Sequence, residues 1–311
     1  MNNQIKKINF KHSFIFFIFC NIFSLPFLKI NISIIQPFFC LLLILVVGIS
    51  HGSLDHIKGK KLLKILRLSN ISIFYFTYLL LALSITIFWI LSPALTLVVF
   101  LIVASYHFGK EDTQFLSYEN SSLNQMLYFL KGSLIIFAPL FFHFNETINI
   151  FKLLLIENEN FYLSLSFLEN NKILDIGIIL STLSSIYLFI KKFEIKKFTI
   201  FLDYFSIIIV NYYFTPLIAF TIYFCFLHSI RHIISLVFEL DGENLSNGLI
   251  IFIKKALSLT ILTATFCLIS LYFLNKNYDF DSSILKLIFI GLASLTFPHI
   301  LLEYFIEKNE K

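Results

Sequence analysis

Eight histidines are spread along 311 residues, and six of them fall in four polar islands set in apolar sequence. The islands read "ISHGSLDH" (49–56), "SYHFGKED" (105–112), "FLHSIRH" (226–232) and "PHILLE" (298–303). An ionisable group inside a membrane is costly, so it faces a bundle interior or a cavity and has a task there. His228 and His232 are four apart, so on a helix both rings leave one face, a turn apart, and can reach a single metal ion. The rival reading is two separate histidines that bond headgroups or carbonyls. Arg231 lies between them but about 100° round the helix, aimed at a carboxylate or a lipid phosphate.

The other islands repeat the spacing of four. His51 and Asp55 can form a ligand and the carboxylate that holds its second nitrogen, unless Asp55 pairs with Lys58. His56, five after His51, turns off that face, so His51 ranks above it as a ligand; a helix loosened at Gly52 would reverse the order. His107 precedes Gly109, a helix stop, and so occupies a last turn. Glu303 follows His299 by four and gives a second His–carboxylate pair. Asp55, His56, His299 and Glu303 are expected behind the ligands or along a substrate channel, not on the ion.

The elements that must position these groups are membrane helices. Hydrophobic residues make up 58% of the chain and charged residues 14%, with a mean hydropathy of +0.85, against about half and a quarter in soluble domains. The class is an all-α, polytopic membrane helix bundle of eight to ten spans, ten being the expected number. The spans fall near 14–30, 34–56, 70–91, 94–108, 124–142, 173–190, 198–214, 216–238, 253–274 and 284–305, in a single domain over 1–311. Stretch 146–172 is mixed and reads as a loop with an interfacial helix. The basic start resembles a signal peptide but lacks a small-residue cleavage site, so it reads as a retained first helix. Cys20, Cys40, Cys225 and Cys267 lie in apolar runs without CxxC spacing and read as core residues.

With the N-terminus cytoplasmic and ten crossings, inner segments hold seventeen of the Lys and Arg residues and outer segments four, the pattern of inside-positive loops. Both termini are then cytoplasmic, and the net charge of +5 reflects loop bias, with no nucleic-acid partner implied. On this map His51, His56, His107, His228, His232 and His299 all occupy the inner third of even-numbered spans; His12 and His143 stand apart. A set of neutral imidazoles without an obligatory thiolate or carboxylate suits iron, copper or zinc. Zinc on four histidines would be closed and structural, whereas iron prefers six positions. The 40 phenylalanines and 14 tyrosines are enough to line an aromatic channel, although most of them must face lipid or pack.

The four islands, in this order in a multispan chain, resemble the Brp/Blh family of membrane β-carotene 15,15′-dioxygenases, over most of the sequence from about residue 40. The resemblance implies cleavage of the central double bond of β-carotene by O2 to two retinals, in the inner membrane of a bacterium, with the retinal passing to a microbial rhodopsin. It also implies an Fe(2+) cofactor on four histidines, which match His51, His107, His228 and His232. Ser50, where a proline often precedes the first His-Gly, and a long 143–172 segment depart from the pattern. A histidine-box di-iron hydroxylase or desaturase would need an HxxHH box, which is missing here. A transporter would carry its charges near the bilayer midplane, a bis-histidine haem protein would show a Soret band, and a structural or assembly factor would carry the histidines incidentally.

Overall fold

The structure is a computed structural model that describes residues 3–27, 36–116, 121–191 and 193–309; the His51 side chain also lies outside the described residues. Among these residues the architecture is helical throughout. Seven helices are long and apolar enough to cross a membrane: Ile71–Leu91, Pro93–Glu111, Ser122–Phe142, Ile173–Ile190, Pro216–Leu240, Leu245–Leu274 and Phe280–Asn309. An eighth span arises if Pro37–Gly48 and Gly52–Ile65, bent by 42° at their junction, count as one. Ten crossings are therefore not reached among the described residues. The remaining expected spans lie on the helices Asn3–Phe27 and Thr199–Tyr213, which pack on each other. The second has 15 residues, about 22 Å at 1.5 Å per residue and short of the roughly 30 Å hydrocarbon core. The first is described only to Phe27, so the end of the 14–30 stretch lies outside the described residues.

The apolar surface of these helices is placed for lipid. Ile71–Leu91 buries only Trp89, and Leu91 and Phe266 are 71% and 68% exposed. In water so large an apolar face would be an association site. Trp89 is the exception for a reason: its indole Nε1 donates to the Leu154 carbonyl at 2.9 Å. That bond pins the long segment after His143, which is not one loop but two short helices, Phe144–Leu153 and Glu159–Asn170.

Two departures from α-helix geometry shape the site. Residues Ile44–Gly48 and Tyr223–Ser229 are π-helical, and the first runs into a 3-10 turn at Ile49–Leu54. Such wide turns are frequent at functional sites. The two π segments meet where Gly48 lies under the Phe224 ring; a Cβ there would stand 2.6 Å from a ring carbon.

A third constraint fixes the helix that carries His107. Pro93–Glu111 and the helix beginning at Ser122 cross backbone to backbone at Gly109 and Gly132. A Cβ on Gly109 would lie 1.8 Å from the Tyr128 carbonyl oxygen, and one on Gly132 1.9 Å from that of Ser105. Neither contact can be relieved by turning a side chain. Gly109→Ala or Gly132→Ala should force the helices apart and lower the thermal midpoint in detergent, at a cost of about 1–3 kcal/mol or more. Gly291→Ala, with nothing within 4 Å of its added carbon, should leave the midpoint unchanged. Equal midpoints for all three variants, measured by fluorescence-detected chromatography after heating, would contradict this packing.

Candidate metal centre

Four histidine rings come together in the interior. His107 lies 5.3 Å from His228 and 5.5 Å from His299 between ring centroids, and His232 lies 5.6 Å from His299. All four are buried. They arrive from three stretches: the last turns of Pro93–Glu111, the π-to-α passage around 228–232, and the middle of Phe280–Asn309. The backbone of His51 belongs to the 3-10 turn Ile49–Leu54, and the expectation for its ring lies outside the described residues. His56 turns its Nδ1 to the Ser53 carbonyl at 3.0 Å.

Three of the rings are held through Nδ1 by a carboxylate. His228 Nδ1 stands 3.3 Å from Asp112, His232 Nδ1 3.2 Å from Glu111, and His299 Nδ1 2.9 Å from both oxygens of Asp55. A carboxylate on one imidazole nitrogen fixes the tautomer and leaves the opposite nitrogen, Nε2, as the coordinating edge. The donor set and its backing therefore fit a divalent first-row metal. Hydroxyls support two of these carboxylates: Tyr223 donates to Asp112 at 2.7 Å and Tyr78 to Asp55 at 2.9 Å.

Several pairings differ from those the spacing suggested. Asp55 lies on His299, 244 residues away in sequence, instead of bonding Lys58; its expected pairing with the His51 ring lies outside the described residues. Lys58 pairs with Glu303, so the His299–Glu303 pair gives way to a longer-range bond. The same Glu303 still offers a carboxylate oxygen that lies, with ligand atoms of His232 and His299, in a group spanning no more than 4.8 Å. Helix Phe280–Asn309 thus presents His299, Glu303 and Glu307 at successive fourfold steps, bonded to Asp55, Lys58 and Lys110 in turn, the last at 2.6 Å. Glu111 and Asp112 stood in the "SYHFGKED" island but were not singled out, because their partners are distant in sequence. Tyr78, Tyr223 and Asp203 gave no local signal at all.

Arg231 does point away from the histidine face, and its target is a carboxylate. It grips Asp203 with two bonds of 2.8 and 3.0 Å, and donates to the Asp112 carbonyl at 3.1 Å and to Ser13 at 2.7 Å. Arg231, Asp203 and Asp112 are all buried. Charge in such a place is tolerated only because it is matched.

Cavities open on two sides of His107. One, of about 470 Å³, is mostly apolar: Ile49, Phe108, Phe224, Leu259 and Leu292 line it together with His56, His107, His228 and His299. Its size falls within the roughly 300–1,000 Å³ of small-molecule sites. The other, of about 520 Å³, is walled by Tyr106, Lys110, Glu111, Glu303 and Glu307 as well as His107.

Fold and site together define an integral membrane protein with a buried, carboxylate-backed histidine centre that opens on an apolar cavity. Residues 42–307 match the family model described as beta-carotene 15,15'-dioxygenase, and the chain belongs to that family of carotenoid-cleaving dioxygenases. A curated relative, beta-carotene 15,15'-dioxygenase from uncultured marine bacterium 66A03, is 30% identical over 279 residues, covering 86% of this chain and 92% of the relative. No solved structure matches.

Removing one member of the Arg231–Asp203 pair should be far worse than removing both. Arg231→Met leaves Asp203 buried without its cation and should cost about 3–5 kcal/mol. Arg231→Met with Asp203→Leu should recover most of that loss. Thermal denaturation of the two purified variants measures the difference, and a double variant no more stable than the single one would refute it.

Proposed function

We propose that the chain cleaves the central double bond of β-carotene with O2 to give two retinals, at one Fe(2+) held by His51, His107, His228 and His232. Family membership supports the reaction. The observation that carries the site is the cluster of buried rings with carboxylates on Nδ1, set against an apolar cavity. In this reading β-carotene arrives from the membrane lipid, where it dissolves. The retinal produced would serve a rhodopsin in the same bacterial cell membrane.

The substrate is a hydrocarbon without a polar handle. Its binding must come from apolar contact and shape: a molecule that leaves lipid is not removed from water, so close packing against the walls supplies the difference. The walls formed by Phe224, Leu259 and Leu292 supply such contact beside His107 and His228. Where the polyene is cut then follows from how far the cavity reaches beyond the rings. Bound iron would supply the activation of dioxygen that organic side chains lack. The chain's own residues orient and exclude: Asp112 and Glu111 keep His228 and His232 in one tautomer, and the apolar walls keep bulk water from the reacting bond. One O2 and one alkene balance as two aldehydes, with no proton gained or lost. No general acid or base is therefore assigned.

Expression in a bacterial host that accumulates β-carotene should bleach its orange colour and yield retinal by chromatography. His228→Ala and His232→Ala should keep the colour, reduce retinal to background and still reach the membrane in normal amount. Colour that persists with the unaltered chain present would overturn the reaction. Retinal from either variant at the unaltered rate would overturn the ligand set.

A further inference from the structure

The ring contacts run in the order His228, His107, His299, His232. His299 therefore stands inside the cluster, as the link between His107 and His232, and not behind it. It is 4% exposed. Of the three carboxylate-held imidazoles it has the closest hold: both Asp55 oxygens lie 2.9 Å from Nδ1, and Tyr78 fixes that carboxylate with a bond of its own. A ligand atom of His299 also belongs to the group, with His232 and Glu303, whose members lie within 4.8 Å of one another. A histidine needed only to neutralise Asp55 would have no reason to be packed against two other imidazoles from different helices. Side chains that share a metal have that reason.

We propose that His299 is itself a metal ligand, through Nε2, with Asp55 as the carboxylate that orients it. This rests on the metal-centre reading above and adds a fifth histidine to its four. Glu303 stays with Lys58, whose ion pair holds the carboxylate at the edge of the site. The consequence is a change in coordination arithmetic. Four imidazoles on a six-coordinate ion leave two positions for other molecules, and five leave one. Such a centre admits one small exogenous ligand, while a long apolar substrate is held by the cavity walls alone.

The test uses the full-length protein in detergent, stripped of metal and reloaded with Co(2+), whose visible bands weaken as coordination number rises. The unaltered protein should take up one cobalt per chain and show the weak bands of a five- or six-coordinate ion. His299→Ala should bind cobalt at least about tenfold more weakly and show a changed band pattern, which added imidazole restores. Asp55→Asn should weaken binding less and keep the coordination number. His143→Ala, at the far end of the Leu134–Phe142 helix, should match the unaltered protein. An unchanged spectrum and affinity in His299→Ala, with one cobalt bound by the unaltered protein, would overturn this ligand while leaving the metal-centre reading intact. An unaltered protein that takes up no metal would overturn both. Should the alanine variant not fold, X-ray absorption at the iron edge of the unaltered protein decides instead: five imidazole nitrogens support the assignment, and four or fewer overturn it.

Discussion

Burying charge in an apolar bundle is tolerable only where each charge has a partner, and that single requirement organises the interior. Asp55, Asp112, Asp203 and Arg231 are buried, each bonded to a group from a distant part of the chain. An isolated ion there would cost several kcal/mol even after relaxation. The pairings therefore act as long-range staples: Asn3–Phe27 reaches Arg231 through Ser13, Thr199–Tyr213 reaches it through Asp203, and the end of Pro93–Glu111 reaches His228 through Asp112. The helices cannot slide relative to one another without breaking one of these bonds. Rigidity at the histidines is a product of the same requirement, since two of the charges hold imidazole nitrogens directly.

The two sides of the cluster differ in chemistry. Toward Phe224 and Leu259 the walls are apolar and lead to helices with lipid-facing surfaces, which suits a ligand that comes from the bilayer. Toward Glu303 and Glu307 the walls carry ion pairs with Lys58 and Lys110. Partly exposed pairs of this kind add little stability. Their use is positional: at fourfold spacing on one helix they lock its last turns against two neighbours, and so fix the depth at which His299 enters the cluster. The side with the ion pairs, which Val103, Phe297, Ile300 and Leu301 also line, borders His107 and the carboxylate of Glu111, whereas the other side borders His107, His228 and His299.

Much of this was legible in the sequence, and the physical reasons for the remainder are specific. Apolar runs are long-range averages, so the positions of the helices were readable; 173–190 matches Ile173–Ile190. Of the eight to ten crossings expected, seven or eight are found among the described residues, because 198–214 carries enough apolar residues for a span but only 15 residues of α-helix. The four polar islands stood out because ionisable groups are rare in apolar sequence, and histidines from three of them do come together in the fold. Pairings read from spacing were less dependable. A carboxylate four residues from a histidine is near it on a helix, yet Asp55 and Glu303 both bond partners from other helices, which no local spacing reveals. The position of His299 between His107 and His232 was not legible for the same reason: only the tertiary fold carries "PHILLE" to the other islands. Nothing in local pattern signals Asp203, whose partner lies 28 residues on, or the π turn that carries His228.

The central claim is that one metal ion held by these histidines performs the cleavage. Titrating the metal-free protein with ferrous ion under anaerobic conditions, then adding oxygen and β-carotene, tests it most directly. Retinal formation should be absent without iron, rise in proportion to it and level off at one equivalent per chain. Retinal made by the metal-free protein, or a plateau at two equivalents, would contradict the account.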